Sequence, residues 1–237
     1  MRGQLWIDGI NITQAFGVYI SGTGVHGAPA RSVTLTTVPG KNGQLVIDNG
    51  RFENIVVTYA ASFINRDFSE NIEHLRNFLH SKKGYRRISD SYHSDEYRMG
   101  VYIGPFNPSV QKHLTSGQFD LAFNCKPQRF LVDPPAVTFT ATGTIYNPEL
   151  MDARPLVRAY GTGQIGINGT YIDILDNTSY TDIDCDLMEA FEGTTNRNYD
   201  IKINGSGDFP VLGPGVNNIV VGTGISSVVI TPRWWRL

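Results

Sequence analysis

Residues 84–100 read GYRRISDSYHSDEYRMG. Tyr85, Tyr92 and Tyr97 stand there among Arg86, Arg87, Arg98, Asp90, Asp95 and Glu96, with neither a two-residue nor a 3.6-residue period. Tyrosine and arginine are enriched where proteins meet, so the run is read as a contact surface, its charges suited to pairing between subunits. Just before it lies an amphipathic helix, expected over Ser69–Ser81. Ile72, Leu75, Phe78 and Leu79 share one face, Asp67 and Glu70 form a capping box, and Gly84 is a C-terminal stop.

Toward the N-terminus, strands are expected at Gln4–Ile10 and Ser32–Val38, around a glycine-rich loop at Ser21–Gly27. Val38-Pro39-Gly40-Lys41-Asn42-Gly43 makes a sharp turn. Leu45–Asp48 and Asn54–Ala60 read as a hairpin about Asn49-Gly50. Beyond the run, Arg98–Ile103 and Gly117–Cys125 read as strands. In the second, Phe119, Leu121 and Phe123 alternate with Gln118 and Asp120, and Lys126-Pro127 is expected to stop it.

The Asp133-Pro134-Pro135 cluster marks a domain boundary, giving a domain over residues 1–133, a linker over 134–148 and a second domain over 149–237. Short strands are expected in the last part at Pro155–Tyr160, Gly163–Ile167, Tyr171–Leu175, Ser179–Cys185, Tyr199–Ile203, Asn217–Val221 and Val228–Thr231. Such closely spaced strands, divided by turn residues, are a sandwich signature.

The fold class is therefore mainly β. With 25 glycines and 12 prolines among 237 residues, the composition suits strands and turns. Residues 1–135 hold 14 Lys/Arg against 11 Asp/Glu and residues 136–237 hold 6 against 11, which is no basic stripe for nucleic acid. No apolar run is long enough for membrane insertion. The opening MRGQLWIDGINI has no signal-peptide hydrophobic region, so the sequons at Asn11 and Asn168 are not read as glycosylated. Cys125 and Cys185 read as buried free thiols.

No catalytic, cofactor-binding or metal-ligating residue is expected from the sequence. Gly161-Thr162-Gly163-Gln164-Ile165-Gly166 has dinucleotide-binding spacing, but Asn168-Gly169 and a strand follow instead of a helix N-terminus. Asp182, Asp184 and Asp186 alternate on one strand face but lack the remaining ligands of a calcium loop, and are read as a solvated or partner-facing edge. His26, His74, His80, His93 and His113 lie in no zinc-protease or nucleophile motif. Trp234 and Trp235, beside Arg233 and Arg236, suit either a core and strand edge or contact with a glycan or partner.

Taken in order, these pieces resemble the distal tail protein (Dit) family of long-tailed phages of Gram-positive hosts. The likeness rests on Val38–Gly43 with Ile47–Gly50, then Leu75–Leu79 leading into Gly84–Tyr92, then Gly117–Phe123 and Cys125–Phe130. Asn147-Pro148, Pro155-Leu156, Tyr160–Gly163, Ile183–Cys185, Phe209–Leu212 and Pro214–Asn217 continue it. The resemblance implies an N-terminal β-sandwich belt domain with one helix and a protruding β-hairpin, and a galectin-like C-terminal β-sandwich.

It also implies a non-enzymatic virion protein, made in the bacterial cytoplasm, whose six copies close a ring at the tail tip. The ring would join the tail tube to the tail-tip hub with its tail-associated lysin, and support receptor-binding or adsorption proteins. Ring contacts are expected from Val38, Pro39, Lys41 and Asn42, and from Tyr85, Arg86, Arg87, Asp90, Tyr92, Tyr97 and Arg98. The alternative is a carbohydrate-binding adhesin using Trp234 and Trp235.

Overall fold

The computed structural model describes residues 2–22, 27–64, 68–110, 116–176, 179–205 and 207–237. The expected Ser21–Gly27 loop, the Asp67 cap, His26 and His113 lie wholly or partly outside them. The chain divides into two compact units, Met1–Arg129 with Leu237, and Phe130–Arg236.

The first unit contains β1 (Leu5–Ile7), β2 (Ile10–Asn11), α1 (Ile12–Phe16), β3 (Val18–Ser21), β4 (Arg31–Thr37), β5 (Gln44–Phe52) and β6 (Ile55–Ile64). After these come α2 (Phe68–His80), β7 (Arg86–Asp90), β8 (Glu96–Tyr102), β9 (Ser109–Val110) and β10 (Ser116–Leu131). One sheet runs β2-β1-β7-β8-β10-β6-β3. It curls back on itself, because Gly3, just ahead of β1, and Ile20 of β3 exchange both backbone hydrogen bonds. Leu5, Ile7, Ile20, Phe63, Leu121 and Phe123 fill the interior, and α2 adds Ile72, Leu75 and Leu79 from one face. That face is the one its apolar spacing indicates.

Residues 84–100 are an ordinary antiparallel hairpin of this sheet. Arg86 pairs with Gly100 and Ile88 with Arg98 across β7 and β8. The alternation missing from the sequence is present in space: Arg86, Ile88 and Asp90 turn inward from β7, and Glu96, Arg98 and Gly100 from β8. The period was hidden because charged side chains occupy inward positions.

Two further expectations are corrected. Asn49-Gly50 is not a turn: β5 runs through it to Phe52 and pairs with β4, the reversal falling at Pro39–Gly43. Nor does Pro127 end a strand, since β10 continues to Leu131.

The second unit contains β11 (Val137–Phe139), β12 (Gly143–Asn147), β13 (Leu156–Gly161), β14 (Gly163–Ile167), β15 (Thr170–Ile174) and β16 (Thr181–Asp184). Then follow β17 (Glu189–Glu192), β18 (Thr195–Asn196), β19 (Ile201–Asn204), β20 (Gly215–Val221), β21 (Ile225–Thr231) and β22 (Trp235–Arg236). Residues 134–148, read from sequence as a linker, carry β11 and β12. Two sheets, β11-β21-β13-β16-β17-β18 and β12-β20-β14-β15-β19, enclose one core. Val157, Ile183 and Ile230 enter it from the first sheet, and Ile165, Ile172 and Ile219 from the second.

The glycine-spaced segment is a packing device. A Cβ on Gly161 would stand 2.3 Å from the Gly224 carbonyl oxygen, so two backbones meet where a side chain cannot fit. Asn168 and Gly169 both take positive φ in the β14–β15 turn, the geometry that favours Asn-Gly in tight hairpins.

Candidate functional site

The charged residues of the β7–β8 hairpin are held within their own unit. Arg86, 4% exposed, donates to Asp8 Oδ2 at 2.9 Å and to the Phe78 carbonyl at 2.8 Å, and lies 4.3 Å from the Phe78 ring. Burial tends to raise the Asp8 pKa, but Lys82 and Arg86 outweigh it and hold the carboxyl below its ordinary value. Asp90 accepts the Tyr92 and His93 amides and the Tyr59 hydroxyl. Burial, then the Asp90 charge, pushes the Tyr59 hydroxyl well above its usual range.

Arg129 donates to both Glu96 oxygens at 3.3 Å. Arg98, Asp90 and Tyr59 help to line a cavity of ≈ 10 Å³, room for no more than a single water. Arg87 lies 4.0 Å from the Tyr97 ring, and the Tyr92 ring covers Gly3 while its hydroxyl donates to the Ile20 carbonyl. Tyr85 is the more open of the named tyrosines. It accepts a hydrogen bond from Asn54 and sits 5.3 Å from the Lys126 ammonium. The run is therefore largely internal bracing, with Arg86, Asp90 and Arg98 turned away from solvent.

The open surface lies in the β4–β5 hairpin, which pairs with no other strand among the described residues. Thr34 faces Ile47, Leu35 faces Val46 and Thr36 faces Leu45. Strand alternation then puts Val33, Leu35 and Val46 on one face and Leu45 and Ile47 on the other. Leu35 is 53% exposed, Val46 61% and Ile47 49%. Both faces are thus apolar and both stand in water. Val38, Pro39, Lys41 and Asn42 form the exposed tip. At the base, Arg31 pairs with Asp48 and lies 5.2 Å from the Phe52 ring. The sequence indicates the tip as a contact but not the apolar residues of the two strands, because apolar strand residues are ordinarily core.

Of the three acids read as a solvated or partner-facing edge, Asp182 and Asp184 on β16 are buried, and Asp186, beyond the strand's end, is exposed. Asp182 receives two hydrogen bonds from Arg158, at 2.7 and 2.8 Å, and Asp184 receives two from Arg233 at 2.7 Å. Among the described residues no His, Cys, Asp and Glu group is arranged to hold a metal. Cys125 and Cys185 are buried free thiols, pushed by burial up to about 11 and about 12. Trp234 is buried, and the Trp235 ring N–H donates to the Asp152 carbonyl at 2.8 Å. Trp234 is therefore no stacking platform for sugar, and Trp235 is partly buried against the core of the second unit.

No family model matches the sequence, and no curated protein matches it. Solved structures do. SPP1 Dit (gp 19.1), described as a paradigm of the hub adsorption apparatus in Gram-positive infecting phages, superposes with a TM-score of 0.73. The match is at 17% identity and covers 99% of each chain. This chain has the Dit fold. A chain of the phage P2 baseplate in its activated conformation with Ca matches at TM-score 0.51 and 10% identity, over 99% of this chain and 100% of that one. A P2 baseplate chain with Sr matches at TM-score 0.52 and 10% identity, over 97% and 98%. Likeness to the Dit fold spans both units, as the ordered sequence resemblance implies, and at such low identity it is a likeness of fold.

Proposed function

We propose that this protein is a non-enzymatic structural component of a phage tail-tip hub, and that copies of it close into a ring, six by the family resemblance. The observation that carries the assembly is the β4–β5 hairpin, apolar on both faces. A two-stranded ribbon is marginally stable alone in water, and contiguous exposed apolar surface marks an interaction site. A neighbour packed around the ribbon would cover it, and such a head-to-tail interface closes into a ring when its rotation allows.

On this reading Leu35, Val46, Leu45 and Ile47 carry the contact, Val38, Pro39, Lys41 and Asn42 extend it at the tip, and Tyr85 borders its base. The first unit would form the ring between tail tube and tail-tip hub. The second, of galectin-like form, would support receptor-binding or adsorption proteins on the virion. The near end-to-end likeness to Dit supports the hub role, and the burial of Trp234, Asp182 and Asp184 argues against the adhesin reading.

The test is light scattering with negative-stain electron microscopy of the purified chain, beside a Leu35→Ser/Ile47→Ser variant. Wild type should give closed rings, and the variant should give monomers with an unchanged circular dichroism spectrum. A wild type that stays monomeric at high concentration, or a variant that assembles equally well, overturns the self-assembly reading.

A further inference from the structure

The sequence contains four Asn-Gly pairs, at residues 42, 49, 168 and 204. Asn-Gly is the dipeptide in which the following amide most easily reaches the side-chain carbonyl, because glycine puts no Cβ in the way. Three of these asparagines are tied down. Asn49 Nδ2 donates to the Ser32 and Thr34 hydroxyls, and the Gly50 amide is engaged by Asp48 at 2.9 Å. Asn168 Nδ2 donates to the Val211 carbonyl and Asn217 Oδ1, while its Oδ1 accepts the Asn218 amide at 2.9 Å. Asn204 Nδ2 donates to Asp173 at 2.6 Å.

Asn42 differs from all three. It sits at the exposed β4–β5 tip, and among the described residues neither its side chain nor the Gly43 amide makes a hydrogen bond. A Cβ at Gly43 would meet nothing within 4 Å, so the space around that amide is open.

We infer that Asn42-Gly43 is a spontaneous deamidation site, where the tip converts to aspartate and isoaspartate. The Gly43 nitrogen forms a bond to Asn42 Cγ, the Cγ–Nδ2 bond breaks, and Nδ2 leaves as ammonia with the proton lost by the Gly43 amide. Water then opens the resulting succinimide. Attack at Cγ restores the normal backbone as aspartate, and attack at the Asn42 backbone carbonyl carbon leaves isoaspartate, with an extra methylene in the turn. Either product places a carboxylate beside Lys41 where a neutral amide stood. The chemistry requires nothing but water. Only its consequence for ring contacts rests on the proposed function.

The test is peptide-resolved mass spectrometry of the intact folded chain aged in mildly alkaline buffer made with ¹⁸O-water. Acid carrying the label should accumulate at residue 42 several-fold faster than at 49, 168 or 204, and part of it should be a substrate for isoaspartyl methyltransferase. Asn42→Gln should abolish the fast component and leave the three slow sites unchanged. The same ageing is run on the Leu35→Ser/Ile47→Ser variant, expected to be monomeric. Fast conversion at residue 42 there but not in assembled wild type supports the inference and shows protection by assembly. Slow conversion at residue 42 in both proteins, equal rates at all four positions in both, or faster conversion at a tied asparagine, overturns the inference.

Discussion

At the scale of single residues, the two arginine–aspartate forks of the second unit have the clearest energetic consequence. Asp184 is only 7% exposed, so removing Arg233 leaves a nearly desolvated carboxylate without its main partner. Breaking a fully buried pair costs about 3–5 kcal/mol. Arg233 is 30% exposed, which lowers the expectation to about 2–3 kcal/mol for Arg233→Ala. Urea denaturation of the two proteins at neutral pH measures this, and a loss within experimental error would show that water replaces the arginine. The pH dependence has a definite sign. Burial tends to raise Asp184, but Arg233 and the Leu187 and Asp186 amides outweigh it, and the folded pKa is lowered. Its stabilisation is therefore present above the unfolded carboxylate value of 3.8 and lost as pH falls through the lower folded value. Wild type should lose stability more steeply than Arg233→Ala across that acid window, so their stability curves should converge.

At the scale of elements, the β4–β5 hairpin stands apart because its apolar strand residues join neither hydrophobic core. Val46→Ser should accordingly leave monomer stability within about 0.5 kcal/mol, as for exposed positions generally, when thermal unfolding is followed at dilutions that favour monomer. Under assembling conditions the same change should weaken association. About half of each hairpin side chain is exposed, so covering one contributes about 1 kcal/mol. A large melting-temperature drop in dilute monomer would instead mean that Val46 packs within its own chain. Elements also show what was legible in the sequence. Helix α2 was readable because apolar spacing and Gly84 agree locally, and the β14–β15 hairpin because Asn-Gly sets its turn. The β7–β8 hairpin was obscured because its inward charges are satisfied by Asp8 and Arg129, distant in sequence. Hairpin β4–β5 was misregistered for a related reason: Asn49-Gly50 looks like a turn, yet Asn49 is engaged across the ladder by Ser32 and Thr34.

At the scale of the whole molecule, the chain builds two hydrophobic cores that share no buried residue, one around Phe63 and Phe123 and one around Ile165 and Ile183. Each unit carries its own inventory of buried side chains, and domains with separate cores tend to unfold as separate cooperative units. Differential scanning calorimetry should therefore resolve two transitions, and substitutions should sort between them. Leu121→Ala removes a fully buried side chain from the first core and should cost that unit about 2–5 kcal/mol. Ile183→Ala should do the same to the second unit, lowering the other transition while leaving the first in place. A single transition shifted equally by both changes would show strong coupling between the units. Independent shifts of the two transitions would fit the division of labour proposed above, in which the first unit forms a ring and the second meets other partners.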